Sequence, residues 1–268
     1  MQPPAPPQLR VLITGATSGI GKALATAYAR QHGAQCTLAL LGRNQSALTL
    51  LQAHVAALGC QAYCYVADVR DATRVQSIAE DFLTKVGTPH IVIGNAGVSR
   101  GTLTEHAEDI PAFQAVFDTN VMGLVHTFQP FIAAMKTAAR QGECAQLVGI
   151  ASVAGIRGLP GSGAYSASKA AAITYLESLR VEMQLHNISV TTIAPGYIRT
   201  PMTDINTYPM PFLMDVDVFA DKAIKVIARQ SRFSVIPWQM GIVTSLMRVL
   251  PAGLWDLIMK KAPHKARL

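Results

Sequence analysis

A chain of 268 residues that is half hydrophobic and only 15% charged can fill one large core or two small ones. Its formal net charge of +7 suits a protein that handles anionic ligands, but no basic stripe with interleaved aromatics occurs, which argues against nucleic-acid binding. No basic n-region precedes an apolar h-region and no 18-residue uncharged apolar run is present, so neither a signal peptide nor a transmembrane helix is expected.

In chain order, residues 1–8, opening with MQPPAPP, read as an irregular leader. RVLITG (10–15) reads as a strand, GKALATAYARQHG (21–33) as a helix, QCTLALLG (35–42) as a second strand and QSALTLLQAHVAALG (45–59) as a second helix. A third strand, QAYCYVADV (61–69), leads into DATRVQSIAEDFLTKVG (71–87), a helix with Asp71 at its cap position. HIVIGNAG (90–97) is a fourth strand, residues 108–139 are helical in character, and CAQLVGIAS (144–152) is a fifth strand. A long helix begins near 163, followed by the strand ISVTTIAPG (188–196), a helix over 216–230 and a short strand RFSVIPW (232–238).

The strand runs are nearly all apolar, as strands buried on both faces are, so the sheet should be parallel and covered by helices. The βα units follow one another without a linker, which argues for one catalytic domain over 9–240, with 241–268 as an apolar and basic extension. Cysteines at 36, 60, 64 and 144 form no CxxC pair; they read as reduced, mostly buried residues of a cytoplasmic protein, and no metal is expected. The seven histidines are scattered and read as surface or helix-end groups.

Chemistry is suggested first by GSGAYSASKAA (161–171), in which Tyr165 and Lys169 stand four apart on one helix face. A nearby cation favours the phenolate and would lower the Tyr165 pKa, giving a usable proton donor and acceptor. Such a pair also arises by chance on many helices. At the other end of the chain, glycines at 15, 19 and 21 follow the first strand with G-x3-G-x-G spacing and open a helix. This turn can present backbone N–H groups to a pyrophosphate, although a tight turn without a ligand would need the same glycines. An NAD site usually has an acid about 20 residues further on; LLGRN (40–44) has Arg43 instead, which suits a 2′-phosphate, so NADP(H) is preferred and NAD(H) is the second candidate. Asp68 could reach an adenine amine or cap the next helix.

Together these residues resemble the short-chain dehydrogenase/reductase family over about residues 9–237. The matching marks are TGATSGIG (14–21), Asp68–Val69, NAG (95–97), Asn120, Ser152 placed 13 residues before Tyr165, YSASK, and Pro195–Gly196 with Thr200. The resemblance implies a single-domain, Rossmann-type, doubly wound parallel sheet of about seven strands with helices on both faces. Tyr165 would be the general acid in reduction and the base in oxidation, Lys169 would lower its pKa and hold the nicotinamide ribose, and Ser152 would bind the substrate oxygen. Asn120 would kink the long helix and anchor a water that relays protons through Lys169. The resemblance assigns Thr14, Gly15, Ser18, Gly19, Ile20 and Gly21 to the dinucleotide turn. Asp68 and Val69 would flank the adenine, and Asn95, Ala96 and Gly97 would pass the adenosine ribose. Pro195, Gly196, Ile198 and Thr200 would line the nicotinamide. One departure is Gly94, which stands where the family commonly has Asn and so weakens the bracing of the central sheet.

The loop 153–163 and a lid over about 197–219, rich in Met, Pro and aromatic residues, favour a hydrophobic carbonyl or alcohol. The reading is an NADP-dependent oxidoreductase that forms a homodimer or homotetramer. The alternative is a catalytically silent nucleotide-binding regulatory or scaffold protein of the same fold. The tail is expected to pack against protein, with weak contact at a membrane surface as its second reading.

Overall fold

The computed structural model describes residues 8–262, Lys265 and Arg267; most of the proline-rich leader and His264 lie outside the described residues. The apolar runs pair as their composition demands. Strands β1 (Leu9–Thr14), β2 (Cys36–Gly42) and β3 (Gln61–Val66) lie on one side, with β2 buried at every position. β4 (Ile91–Gly94), β5 (Gln146–Ile150) and β6 (Ser189–Pro195) extend the other side. Beyond a two-residue pair, β7 (Ile198–Arg199) with β8 (Met214–Asp215), β9 (Phe233–Ile236) completes a seven-stranded parallel sheet of order β3-β2-β1-β4-β5-β6-β9.

Helices cover both faces. On one, α1 (Gly19–His32), α2 (Gln45–Ala57) and α8 (Val216–Ala228) bury Leu24, Tyr28, Leu48, Leu51, Phe219 and Ile224. On the other, α3 (Ala72–Lys85), α5 (Gly123–Arg140) and α6 (Gly163–Gln184) bury Phe82, Phe128, Phe131, Met135, Leu176 and Leu179. Asp71 caps α3, its carboxylate accepting from the Arg74 N–H at 2.9 Å. The chain winds outward from β1 through β3 and then crosses to β4, so a cleft opens at the carboxyl ends of β1 and β4, where the strand order reverses.

The stretch 108–139 is helical, and its irregular turn falls at Asn120: α4 (Ile110–Phe117) joins α5 through a π-helical turn, Asp118–Met122. Three expectations need correction. Cys144 is exposed, because it lies in the loop ahead of β5 and not within the strand. His90 is buried, its Nδ1 accepting the Arg10 N–H at 2.9 Å, which ties β1 to the entry of β4; burial lowers its pKa. At Gly94 the expected loss of bracing is made good from the opposite side. A Cβ there would overlap Leu124 Cδ1 and lie 3.1 Å from Phe128 Cζ, so α5 packs into the space that a side chain would take. Gly94→Asn should therefore overpack this contact and lower stability by about 1–3 kcal/mol, measured by urea denaturation. An unchanged midpoint would show that α5 yields.

Candidate active site

The turn between β1 and α1 is pressed against the end of β4. Gly15 and Gly19 have φ of +66° and +50°, in the left-handed region that favours glycine. A Cβ on Gly15 would stand 2.8 Å from Ala96 Cα, and one on Gly21 would overlap Gly15 O. Asn95 holds the turn in place by donating Nδ2 to Thr14 O at 2.9 Å and Gly15 O at 3.3 Å. Thr14 Oγ1 in turn accepts the N–H groups of Asn95 and Ala96 at 3.1 and 3.2 Å. Thr14 and Gly21 thus stand behind the cleft wall and shape it, while Gly15, Ser18, Gly19 and Ile20 face the cleft. Ser18 precedes α1 in an extended conformation without a side-chain cap, and the first turn of α1 carries no acid. An anion is favoured there by free N–H groups and by the helix dipole.

The reactive end depends on a close approach between a loop and a helix. Ser152 begins a 3₁₀ turn, Val153–Gly155, and a Cβ on Gly155 would stand 2.5 Å from the Lys169 carbonyl carbon. That contact seats Ser152 beside α6. Ser152 Oγ accepts the Ala154 N–H at 3.1 Å, which leaves its own proton to donate. Tyr165 and Lys169 share one face of α6, with Lys169 Nζ 6.0 Å from the Tyr165 ring centre. Lys169 is buried and donates to Ile150 O at 2.8 Å.

Electrostatics here differ from the simple cation–phenol expectation. Burial pushes the Tyr165 phenol up, while hydrogen bonding with Ser152 pulls it the other way. The ammonium faces a main-chain carbonyl, and burial lowers its pKa to about 8. In the protein alone, then, Tyr165 is a protonated phenol at neutral pH, suited to act as an acid.

Asn120 lies in the π turn and does not face the cleft. Its Oδ1 accepts the Val98 N–H at 2.8 Å, and its Nδ2 donates to Val98 O at 2.9 Å and Ser168 Oγ at 3.0 Å. Ser168 Oγ donates to Tyr165 O at 2.8 Å, so Asn120 clamps the Tyr165 turn to the segment after β4. Ser168 escaped the sequence reading, although it is the second serine of YSASK. Π-helical turns recur at functional sites because they redirect single residues in this way.

At the adenine end, Asp68 neither caps α3 nor stands free. Its carboxylate accepts the Arg70 N–H and Nε at 3.0 Å and Nη2 at 2.8 Å, and these contacts hold its pKa down. Arg43 extends from the end of β2 with its side chain 69% exposed and pairs loosely with Asp68 at 3.8 Å. Val69, Asn95, Ala96, Gly97, Pro195, Gly196, Ile198 and Thr200 also line the cleft. So do Met202 and Thr203, which fall in the expected lid, and Thr17, which sequence reasoning had not placed in it. A Cβ on Gly19 would stand 3.3 Å from Thr200 Cγ2, so the segment after β6 closes onto the glycine turn.

The expected apolar lid carries short regular elements. It holds the β7–β8 pair, the short α7 (Pro201–Asp204) and an edge-to-face pair of Tyr197 and Tyr208 with ring centres 6.4 Å apart. A larger cavity of about 870 Å³ lies against the outer face of α6 and holds none of Ser152, Tyr165 and Lys169.

This architecture is that of an oxidoreductase that binds a dinucleotide along the carboxyl edge of a parallel sheet. The short chain dehydrogenase family model matches residues 10–208, and the chain belongs to that family. It is 35% identical over 247 residues to an uncharacterised oxidoreductase of Myxococcus xanthus, covering 91% of this chain and 94% of the relative. It is 34% identical over 197 residues to sulfoacetaldehyde reductase 2 of Chromohalobacter salexigens, covering 74% and 75%. The solved structure of a short chain dehydrogenase/reductase from Burkholderia phymatum in complex with NAD superposes with a TM-score of 0.80 at 24% identity, covering 97% of this chain and 98% of the other. The protein is therefore an oxidoreductase that interconverts carbonyl and alcohol groups with a nicotinamide nucleotide.

Proposed function

We propose that the protein is an NADP(H)-dependent reductase of hydrophobic carbonyl compounds, reversible as an alcohol dehydrogenase, with Tyr165 as general acid and base. The observation that carries this reading is the convergence of Ser152, Tyr165 and Lys169 on one end of a cleft whose other end is the glycine turn.

The residues fit the nucleotide. The left-handed glycines and the absence of Cβ atoms let a pyrophosphate approach backbone N–H groups. Lys169 keeps N–H donors beyond its bond to Ile150 O for the ribose hydroxyls. When bound, the nicotinamide supplies the hydride. Ser152 donates a hydrogen bond from its hydroxyl to the carbonyl oxygen and steadies the charge that develops there, keeping its own proton. Tyr165 gives up its phenol proton to the same oxygen. Asn120 and Ser168 are positioning residues that keep Tyr165 at its station.

The preference for NADP(H) rests on Arg43. It stands at the end of β2 with its guanidinium open to the cleft, and the nearest acid, Asp68, is held by Arg70. A guanidinium in that place suits a 2′-phosphate. Arg43→Ala should lower the ratio of kcat/KM with NADPH to that with NADH by about ten- to a hundredfold. Equal use of both nucleotides by the unaltered protein would remove this role. The hydrophobic substrate class is supported by Met202, which faces the cleft, and by the Tyr197–Tyr208 pair in the lid. The assembly proposed is a homodimer or homotetramer, which light scattering distinguishes.

A further inference from the structure

The C-terminal helices raise a separate question. α9 (Trp238–Val249) is seated by only part of its surface: Met240 and Thr244 are buried, and Met240 fills the space beside Gly196, where a Cβ would stand 2.8 Å from Met240 Cγ. The opposite face carries Trp238, Ile242, Leu246 and Val249, spaced four, four and three apart along one stripe, with Trp238 65% and Val249 76% exposed. After Pro251, α10 (Ala252–Met259) buries no residue, and it exposes Leu254, Leu257 and Ile258, the second of these by 72%.

This is far more contiguous apolar surface than scattered exposed residues would give. It is also held in place. Arg157, in the loop after β5, donates Nη1 to Met247 O and Leu250 O, both at 2.7 Å, and stacks on Trp255 at 5.0 Å. Beyond α10, Arg267 pairs with Asp109 at 2.9 Å and Lys265 donates to Ser99 at 2.9 Å. The tail therefore folds back on its own chain, as expected, and still presents an uncovered stripe.

We propose that α9 and α10 form a face that lies on an anionic phospholipid membrane. The charges bordering the stripe decide the occupant. Arg248, Lys260 and Lys261 are exposed around it, against one exposed acid, Asp256. Cations on long aliphatic stems beside an apolar stripe match anionic headgroups above acyl chains. A second copy of the chain would bring the same cations together across a two-fold axis around a shared apolar patch, and they would repel one another. Among the described residues no helix is long and apolar enough to cross a membrane, so the contact is in the plane of the interface.

The test is co-sedimentation of the full chain with vesicles of phosphatidylcholine, alone or with about one third phosphatidylglycerol. Binding is expected to the anionic vesicles, falling with added salt, and roughly tenfold weaker to the neutral ones. The triple variant Leu246→Glu, Val249→Glu, Leu257→Glu should lose vesicle binding while keeping its circular dichroism and its turnover of a water-soluble carbonyl. The exposed pair Lys260→Glu, Lys261→Glu should lose only the preference for anionic vesicles. The proposal is overturned if the unaltered chain stays in the supernatant with both vesicle types, or if the triple variant pellets as the unaltered chain does. It is overturned too if no vesicle binding occurs and the triple variant merely forms a smaller assembly in light scattering, which would assign the stripe to a second copy.

Discussion

Tyr165→Phe is expected to lower the rate of carbonyl reduction by about a hundred- to ten-thousandfold while changing nucleotide affinity little. Near Ser152 the cleft offers two titratable side chains, Tyr165 and Lys169, and Lys169 is turned toward Ile150 O. Asp68 is at the other end of the cleft and bound to Arg70. Among the described residues lining that end of the cleft, the phenol is thus the group placed to hand a proton to an oxygen held by Ser152. Burial favours its neutral form, so reduction should be flat across neutral pH and decline on the alkaline side. Oxidation of an alcohol needs the phenolate and should climb with pH. Steady-state rates in both directions, with nucleotide titration by fluorescence, check this. A Phe variant that reduces at full rate would remove the phenol from the mechanism.

The second large effect concerns Lys169, and it has opposite signs for stability and activity. Its ammonium is buried, and its pKa falls from 10.5 to about 8. The unfolded chain therefore holds this proton more tightly than the folded one between those two values. The destabilising cost, about 3 kcal/mol, is fully present below about pH 8 and is relieved as pH rises toward the ordinary lysine value. Lys169→Met should then stabilise the protein at pH 7 by about 1–3 kcal/mol, the loss of the bond to Ile150 O offsetting about 1 kcal/mol of the gain. At about pH 10 most of that advantage should be gone. Turnover should drop at least about a hundredfold, because in the proposed mechanism the same ammonium holds the nucleotide ribose. Thermal melts at the two pH values, read beside kcat, separate these effects. A Met variant less stable than the parent at both would show that the ammonium is stabilised by contacts other than Ile150 O.

Much of this could be read from the chain before its coordinates. Apolar runs such as CTLALLG pair as parallel strands because nothing in them tolerates water on either face. The spacing of Ser152, Tyr165 and Lys169 brings them to one cleft because a loop and a helix of fixed pitch connect them. What stayed hidden depends on contacts between distant segments. Gly21 looks like a residue kept small for a ligand, but the atom it must avoid is Gly15 O. Asn120 looks like a member of the active set, yet its side chain is taken up by Val98 and Ser168. Asp68 was open between two roles, and Arg70, two residues on, supplies a third. Gly94 reads as a missing brace until Leu124 is seen in its place. Nor does spacing give the direction of a pKa shift: a lysine four residues from a tyrosine suggests an acidified phenol, while burial of both groups raises the phenol and lowers the ammonium.

The most direct measurement is the consumption of NADPH, followed by absorbance, with a panel of hydrophobic and small polar carbonyls, for the unaltered protein and Tyr165→Phe side by side. The account predicts turnover of hydrophobic members by the unaltered protein, faster with NADPH than with NADH, and near loss of that turnover in the Phe variant. Tight binding of NADPH with no turnover of any carbonyl, or of any alcohol in the reverse direction, would contradict it and point to a nucleotide-binding protein that has lost its chemistry.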